Sequence, residues 1–460
     1  MKETPLPWWK IAAYSMPAGP SAAVGLPIAV YIPPFYASQL GIELTTIGLI
    51  LMLMKFWDVC TDPVLGIVSD RYPSRFGRRR HWMVISTPIL MFSCYMLFMP
   101  DLGVGPVYLT IWMVAMYVGW TLLSISHMAW GTELSPFYSQ RSRIHGWREG
   151  MILIGMLLTL MLPFFVEQFG PEAFGFVDRG ESTLAFARVS VMGWFVIIAL
   201  PITVLIAIVT VDERRDIKPN KVDWSGMWRL MVSNIALRRV LLADFLSGIN
   251  GGATAALFLF LAEDALQLEQ ASLLLLVFFA SGLLFLPLMI KFSYKLGKHR
   301  MMAYTNVFIV VTVPALLFIP TQSPLIATLG FVILGLNVGV APTIFRSLMA
   351  DIADDHTVNS GAEQTGLFYS LLTLTNKCGS AIAIGVAYIA LDAIGFTAGG
   401  DNSESVLFQF RFIFISAPVL TGLFVAWLMW SYPLDEKKQI ANRKTLDEAG
   451  HRNASPELTS

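Results

Sequence analysis

Twelve stretches of the sequence are long and apolar enough to cross a bilayer, near residues 11–37, 43–69, 82–100, 105–130, 146–166, 187–211, 240–262, 270–291, 301–320, 324–349, 365–391 and 407–432. The hydrocarbon core of a membrane takes about 20 residues of helix. Inside lipid there is no water to bond the backbone, so each run must satisfy its own peptide groups as a helix. The expected fold class is all-α and integral to the membrane. Pro17, Pro27, Pro63, Pro88, Pro287, Pro314 and Pro342 lie within the runs. Neighbouring helices can re-satisfy the groups they free, so they read as kinks rather than ends. Charged residues make up 14% of the chain, where a soluble domain carries roughly a quarter.

A polar link, Val211–Leu237, divides the runs into two sets of six. The expected domains are an N-terminal bundle (1–211), a middle loop (212–238), a C-terminal bundle (239–433) and a solvated, disordered tail (434–460). Loops after the second, fourth, sixth and eighth runs are basic: Arg71–Arg80, Arg141–Arg143, Arg214–Lys221 and Lys291–Arg300. The opposite loops carry Glu43, Asp101, Glu167, Glu172, Asp178, Glu263, Asp264 and Glu269. The excess of basic residues puts the first set, and both termini, in the cytoplasm. The expected location is therefore the inner or plasma membrane, with no cleaved signal peptide after MKETPLPWWK. Trp8 and Trp9 read as interfacial anchors. The turn FGRRRHW after the second run has a reduced counterpart, LGKHRMM, after the eighth. Two repeats around a midplane site are a common transporter plan.

Several classes are excluded or disfavoured. Formal net charge is zero, so nucleic acid has no electrostatic footing as a partner. The three cysteines, Cys60, Cys94 and Cys378, sit in apolar runs and suggest neither disulfides nor a metal cluster. There is no G-x-x-x-x-G-K-[ST] phosphate loop, no H-E-x-x-H and no G-x-S-x-G. ATP-driven transport and enzymatic activity are thus not expected, and neither is a cofactor. A non-transporting sensor remains as an alternative, but it would normally carry an output domain.

One stretch, KFWDVCTDPVLGIVSDRYPSRFGRRR, breaks the apolar rule. Lys55, Asp58 and Asp62 fall within about a third of the helix circumference. Each ionised group at a helix centre costs about 2.5–3.5 kcal/mol on insertion scales. Two carboxylates one turn apart repel unless a positive charge lies between them or one is protonated. Lys55, a small cation or a proton could fill that role. A structural ion-pair set locking the helix is the plainer alternative.

At these residues the chain resembles the major facilitator superfamily, and within it the glycoside–pentoside–hexuronide:cation symporters, the family of the melibiose permease. The resemblance rests on KFWDVCTDPVLGIVSDRYPSRFGRRRHW, HMAWGTELSPFYSQRSRIHGWRE and MADIADDHTVNSGAEQTGLFYSLLTLTNKCGSAIA, and on the spacing of the spans. It implies twelve transmembrane helices in two pseudo-symmetric six-helix bundles. It also implies that Asp58 and Asp62 bind the coupling cation, as metal ligands if the ion is Na⁺, with Lys55 and Lys377 as neighbours. Arg148 and Trp130 would line the solute site. Arg78, Arg141, Arg143, Asp351 and Asp354 would form a cytoplasmic gate.

The chain departs from the sugar permeases where they carry acids on helices one and four. Those places hold Ala22 and Ser126. A site without carboxylates loses the stronger, charge-assisted hydrogen bonds to a hydroxyl-rich sugar. Tyr14 on helix one and Ser126 are neutral replacements. His127 is a further solute contact or proton carrier, or else an interior histidine bonded to a neighbour. Asn250, beside Gly251 and Gly252, is a solute contact, a hinge or a packing residue. Asn376, beside Lys377, is a contact or a helix-packing hydrogen bond. The expected function is symport of a sugar, glycoside or related small organic solute with Na⁺ or H⁺. The alternative is a lysophospholipid or other amphiphile.

Overall fold

The computed structural model describes residues 6–72, 74, 77–135, 138–176, 182–213, 234–360, 365–434, 438–442 and 444–445. The N-terminal half contains α1 (Trp8–Ser15), α2 (Ala18–Val30), α3 (Ile32–Ser38), α4 (Leu44–Arg71), α5 (Arg80–Phe98), α6 (Pro106–Glu133), α7 (Tyr138–Phe169) and α8 (Ser182–Thr210). The C-terminal half contains α9 (Ile235–Phe260), α10 (Ala271–Leu296), α11 (Lys298–Thr312), α12 (Pro324–Gly335), α13 (Val340–Ser360), α14 (Thr365–Ala393) and α15 (Glu404–Trp430). Among the described residues, eleven segments have the length and apolarity to cross a membrane, and the bent pair Trp8–Val30 and Ile32–Ser38, taken as one span, makes a twelfth. The order follows the twelve runs, and this is the two-bundle major facilitator fold.

Two spans are broken for identifiable reasons. The first bends by 43° near Tyr31, where Pro33 and Pro34 open α3. Neither proline has an N–H to continue the ladder. The tenth breaks between α12 and α13, with Gly339 at φ +82°, a conformation that glycine adopts without strain. Of the expected middle loop, residues 214–233 lie outside the described residues, and the seventh span starts at Ile235.

The halves meet along α4 and α14, with smaller seams between α7 and α10 and between α2 and α9. One apolar cluster runs through both halves, from Ile11, Leu97 and Phe98 to Phe260, Tyr388 and Phe414. A second, from Ala236 to Leu434, is confined to the C-terminal half at its basic end. Within that half, α9 and α14 approach closely. A Cβ on Gly379 would lie 2.1 Å from the Phe245 carbonyl oxygen, and one on Gly248 would lie 2.4 Å from that of Asn376. Large apolar side chains such as Val209, Leu284, Phe318 and Trp427 stand exposed around the outside, as a lipid-facing belt requires.

The described part of the expected tail is not the solvated end foreseen, while residues 435–437, 443 and 446–460 lie outside the described residues. Residues 438–442 and 444–445 are helical, and Asn442 is buried. Its amide donates to Asp355 at 2.8 Å, Lys438 pairs with Asp355 at 3.3 Å, and Gln439 bonds Asp351. The polar composition that suggested solvation instead supplies partners for two acids on α13.

Candidate functional site

Asp58 and Asp62 sit near the middle of α4, on the face turned to α14. Gly48 opposite Tyr388 and Met52 opposite Gly385 mark the same stripe. From α14, Lys377 reaches across the seam. Its Nζ lies 2.7 Å from Asp58 Oδ2 and 2.5 Å from Asp62 Oδ2. The positive charge that two neighbouring carboxylates require therefore comes from the other half of the molecule. Lys55, on the same helix as the acids, forms no hydrogen bond or ion pair among the described residues. The spacing left Lys55, a small cation or a proton open for that role, and the resemblance implied both Lys55 and Lys377 as neighbours; it is Lys377, from α14, that enters between the acids.

Thr121 on α6 completes the shell, donating from Oγ1 to Asp58 Oδ1 at 2.7 Å. Pro63 lies inside α4 immediately after Asp62. It has no N–H to give the carbonyl of Val59, four residues back, so that oxygen is left without its helical donor. Two carboxylates and a hydroxyl are hard oxygen donors of the kind that small cations take. Asp58 is buried, whereas Asp62 and Lys377 keep about 30% of their side chains exposed. One side of the cluster is thus left uncovered by the described residues.

Residues expected at the solute site have other surroundings in this conformation. The Tyr14 hydroxyl donates to the His127 carbonyl at 2.7 Å, and His127 Nε2 lies 2.7 Å from the Tyr14 carbonyl. A carbonyl only accepts, so Nε2 carries the proton. Tyr14 packs edge-on against Trp130 at 5.6 Å between ring centroids. Tyr14, Ser126, His127 and Trp130 are at most 2% exposed. They form interior packing between the first and fourth spans, closed to a solute here. Arg148 pairs with its neighbour Glu149 at 3.1 Å. Asn250 accepts from Thr254 at 3.3 Å. Asn376 donates at 3.2 Å to Asp244 on α9, the packing bond weighed above. Asp244, which sequence reasoning overlooked, is buried and also accepts from Thr375 at 3.2 Å.

Of the residues expected to form a gate at the basic end, the described pairs of Arg78, Arg143 and Asp351 lie within their own halves. Arg78 and Arg79 close on Glu133 at the end of α6, and Arg79 also donates to Ser69 at 2.8 Å. Lys298 closes on Asp351 at 2.7 Å. Arg143 donates to the Leu6 carbonyl at 3.2 Å. Asp354 is part-buried on α13, and the Arg141 side chain lies outside the described residues. Glu213 accepts from the backbone N–H groups of Arg78 and Arg79, both at 2.7 Å. A carboxylate at a helix N-terminus is the expected anion for that dipole.

At the acidic end, ion pairs do cross between halves. Arg188 on α8 holds Glu167 of α7 at 3.0 Å and Glu263, just past α9, at 2.5 Å. Tyr31 donates to Ser272 at 3.0 Å, and Thr45 donates to Asp392 at 2.9 Å. Sequence reasoning used Glu167 and Glu263 only as markers of membrane side. Arg188, lying inside an apolar run, was the available signal of a buried partner.

A family model described as MFS/sugar transport protein matches residues 13–436. The sodium-dependent lysophosphatidylcholine symporter 1-B of Danio rerio is 24% identical over 466 residues, covering 93% of this chain and 86% of that protein. The glucuronide carrier protein homolog of Escherichia coli (strain K12) is 24% identical over 468 residues, covering 96% and 97%. The solved structure of a bacterial homolog of the human lysosomal transporter Spinster, inward-facing and unoccupied, matches with TM-score 0.66 at 12% identity. It covers 97% of this chain and 99% of that one, a likeness of fold alone.

Proposed function

We propose that this chain, which belongs to the MFS/sugar transport protein family, carries a small organic solute in symport with a cation bound at Asp58 and Asp62. The carrying observation is the Lys377 ammonium between those two acids, a tie across the seam of the two halves. A cation entering the oxygen cluster does what Lys377 does now, and so releases the tie. Cation occupancy and the relative position of the halves are thereby one equilibrium. Linkage then demands reciprocity: a cation that tightens solute binding is itself tightened by solute to the same factor.

The basic end is taken as cytoplasmic, so the described contacts between halves, at the centre and the acidic end, correspond to closure on the outer side. Opening there requires Arg188 to leave Glu263. Each positive charge moved inward yields about 2.3 kcal/mol per 100 mV, enough with an ion gradient to support accumulation.

Two solute classes fit. A glycoside agrees with the family description and with the carrier homolog. A lysophospholipid agrees with the sodium-dependent relatives and with Ala22 and Ser126, which remove the acids that grip sugar hydroxyls. A thermal-shift screen of both classes, with and without Na⁺, separates them. Asp58→Asn and Asp62→Asn are each expected to abolish cation-driven accumulation in vesicles while the protein still reaches the membrane. Accumulation at the wild-type level in either variant would sink the assignment.

A further inference from the structure

On the outside of the C-terminal half, α15 packs against both α9 and α11. Its exposed stripe of Leu420, Phe424 and Trp427 ends at Trp430 and Ser431. On α11, Arg300, Tyr304, Val307 and Val311 stand exposed at the spacing of one helix face. Two ring contacts join the basic ends of these helices. Tyr304 meets Trp430 edge-on at 5.9 Å between ring centroids, and His299 lies 5.9 Å from Tyr432. Arg300, one turn before Tyr304, therefore stands just beyond the indole of Trp430, toward the basic end. From α9, Arg239 donates through Nη1 to the Ser431 carbonyl, and to the Ser431 Oγ at 3.2 Å. Here Ala426, Trp427, Trp430 and Ser431 line a groove of about 310 Å³.

No described carboxylate pairs with Arg239 or Arg300, and Arg238 is exposed next to Arg239. The acids Asp351 and Asp355 of α13 are buried and held by Lys298 and Lys438. Indole rings settle at the level of lipid headgroups. Guanidinium groups bind phosphate through strong, charge-assisted hydrogen bonds. A phosphodiester whose acyl chain follows Trp427, Phe424 and Leu420 meets both demands together. Two unbalanced positive charges favour a headgroup of net negative charge over a zwitterion, whose own ammonium they would repel.

We infer that the end of α15 is a binding site for an anionic phospholipid of the leaflet at the basic end, its phosphate between Arg239 and Arg300 and one acyl chain in the groove beside Trp427 and Trp430. This lipid is a resident of the membrane and not the passenger. It is α14, not α15, that meets α4 at the seam, so the site lies within one half and outside the solute path. By tying α9 to α11 across the end of α15, the lipid stabilises the C-terminal half whichever way the transporter faces. The site stands independently of the symport reading.

The test uses the purified full chain, stripped of lipid in detergent. The probes are dioleoyl phosphatidylglycerol, dioleoyl phosphatidylcholine and glycerol 1-phosphate. Melting shifts against probe concentration give apparent affinities, in Na⁺ and in K⁺ at one ionic strength. Phosphatidylglycerol is expected to bind about tenfold tighter than phosphatidylcholine, as a charge-assisted bond gives. Glycerol 1-phosphate is expected to give no shift at the same concentrations. Arg300→Gln, which breaks no contact among the described residues, should cut the preference by about threefold or more. Adding Arg239→Gln should erase it, and Trp427→Ala should weaken both lipids alike. Equal affinity for the two lipids overturns the inference, and so does a preference untouched by Arg300→Gln. Stabilisation by glycerol 1-phosphate equal to that by the lipid would reveal a site for free anions and overturn it as well. So would a preference that needs Na⁺ or is lost in Asp58→Asn, because the lipid would then lie on the solute path. Arg300→Gln alone keeps the test decisive if the double variant does not fold.

Discussion

At the basic end, Arg78 and Arg79 close on Glu133 within the N-terminal half, and Lys298 closes on Asp351 within the C-terminal half. At the acidic end, Arg188 spans from Glu167 in one half to Glu263 in the other. The partners are of the same kind, but of these pairs only Arg188–Glu263 must part when the halves move. The first set joins the end of the fourth span to the turn after the second, and the C-terminal part of the tenth to the turn after the eighth. Those are equivalent places in the two repeats. Buried pairs inside a half keep it a rigid body, whereas pairs between halves store a difference between two states.

This contrast can be broken experimentally. Glu133→Gln removes the carboxylate that two guanidinium groups share, of which Arg79 is the more buried, at a cost of about 3–5 kcal/mol for breaking a buried ion pair. The expected result is a large drop in melting temperature or in yield of folded protein, and stability within 1 kcal/mol (roughly) of wild type would refute the clamp. Lys377→Met is expected next in size: it leaves Asp58 and Asp62 facing each other, costing about 1–3 kcal/mol. Its signature is stabilisation by added cation greater than in wild type. Glu263→Gln should barely change melting, because Arg188 keeps Glu167 and Glu263 is a third exposed. Instead it is expected to shift the population toward opening at the acidic end by about 1 kcal/mol. Spin labels at the exposed Leu102 and Phe318 would read this as a longer distance component; an unchanged distribution removes Arg188 from the outer closure. Thr45→Val, losing one exposed bond to Asp392, should shift the same distribution by no more than about 0.5 kcal/mol.

Much of the architecture was legible because lipid leaves the chain few options. Apolar runs of bilayer length gave the spans, and the placement of arginines gave two chemically distinct ends. Asp58 and Asp62 were conspicuous because an acid inside an apolar run is rare. What spacing could not supply was partnership across distance. Lys377 lies 315 residues from Asp62, and Arg188 lies 75 from Glu263. Thr121 is an unremarkable hydroxyl in an apolar run until Asp58 is placed beside it. Tyr14, His127 and Trp130 illustrate a different difficulty. Their helices are apolar on nearly every side, so a 3.6-residue period cannot tell the face toward lipid from the face toward a neighbour or a solute path.

The docking of residues 438–442 onto α13 bears on how the molecule is born. Asn442 is added to the growing chain 87 residues after Asp355, and domains generally fold as they emerge from the ribosome. Asp351 and Asp355 are therefore inserted before three of their partners, Lys438, Gln439 and Asn442, exist, and the C-terminal half acquires these contacts only once translation has passed Asn442.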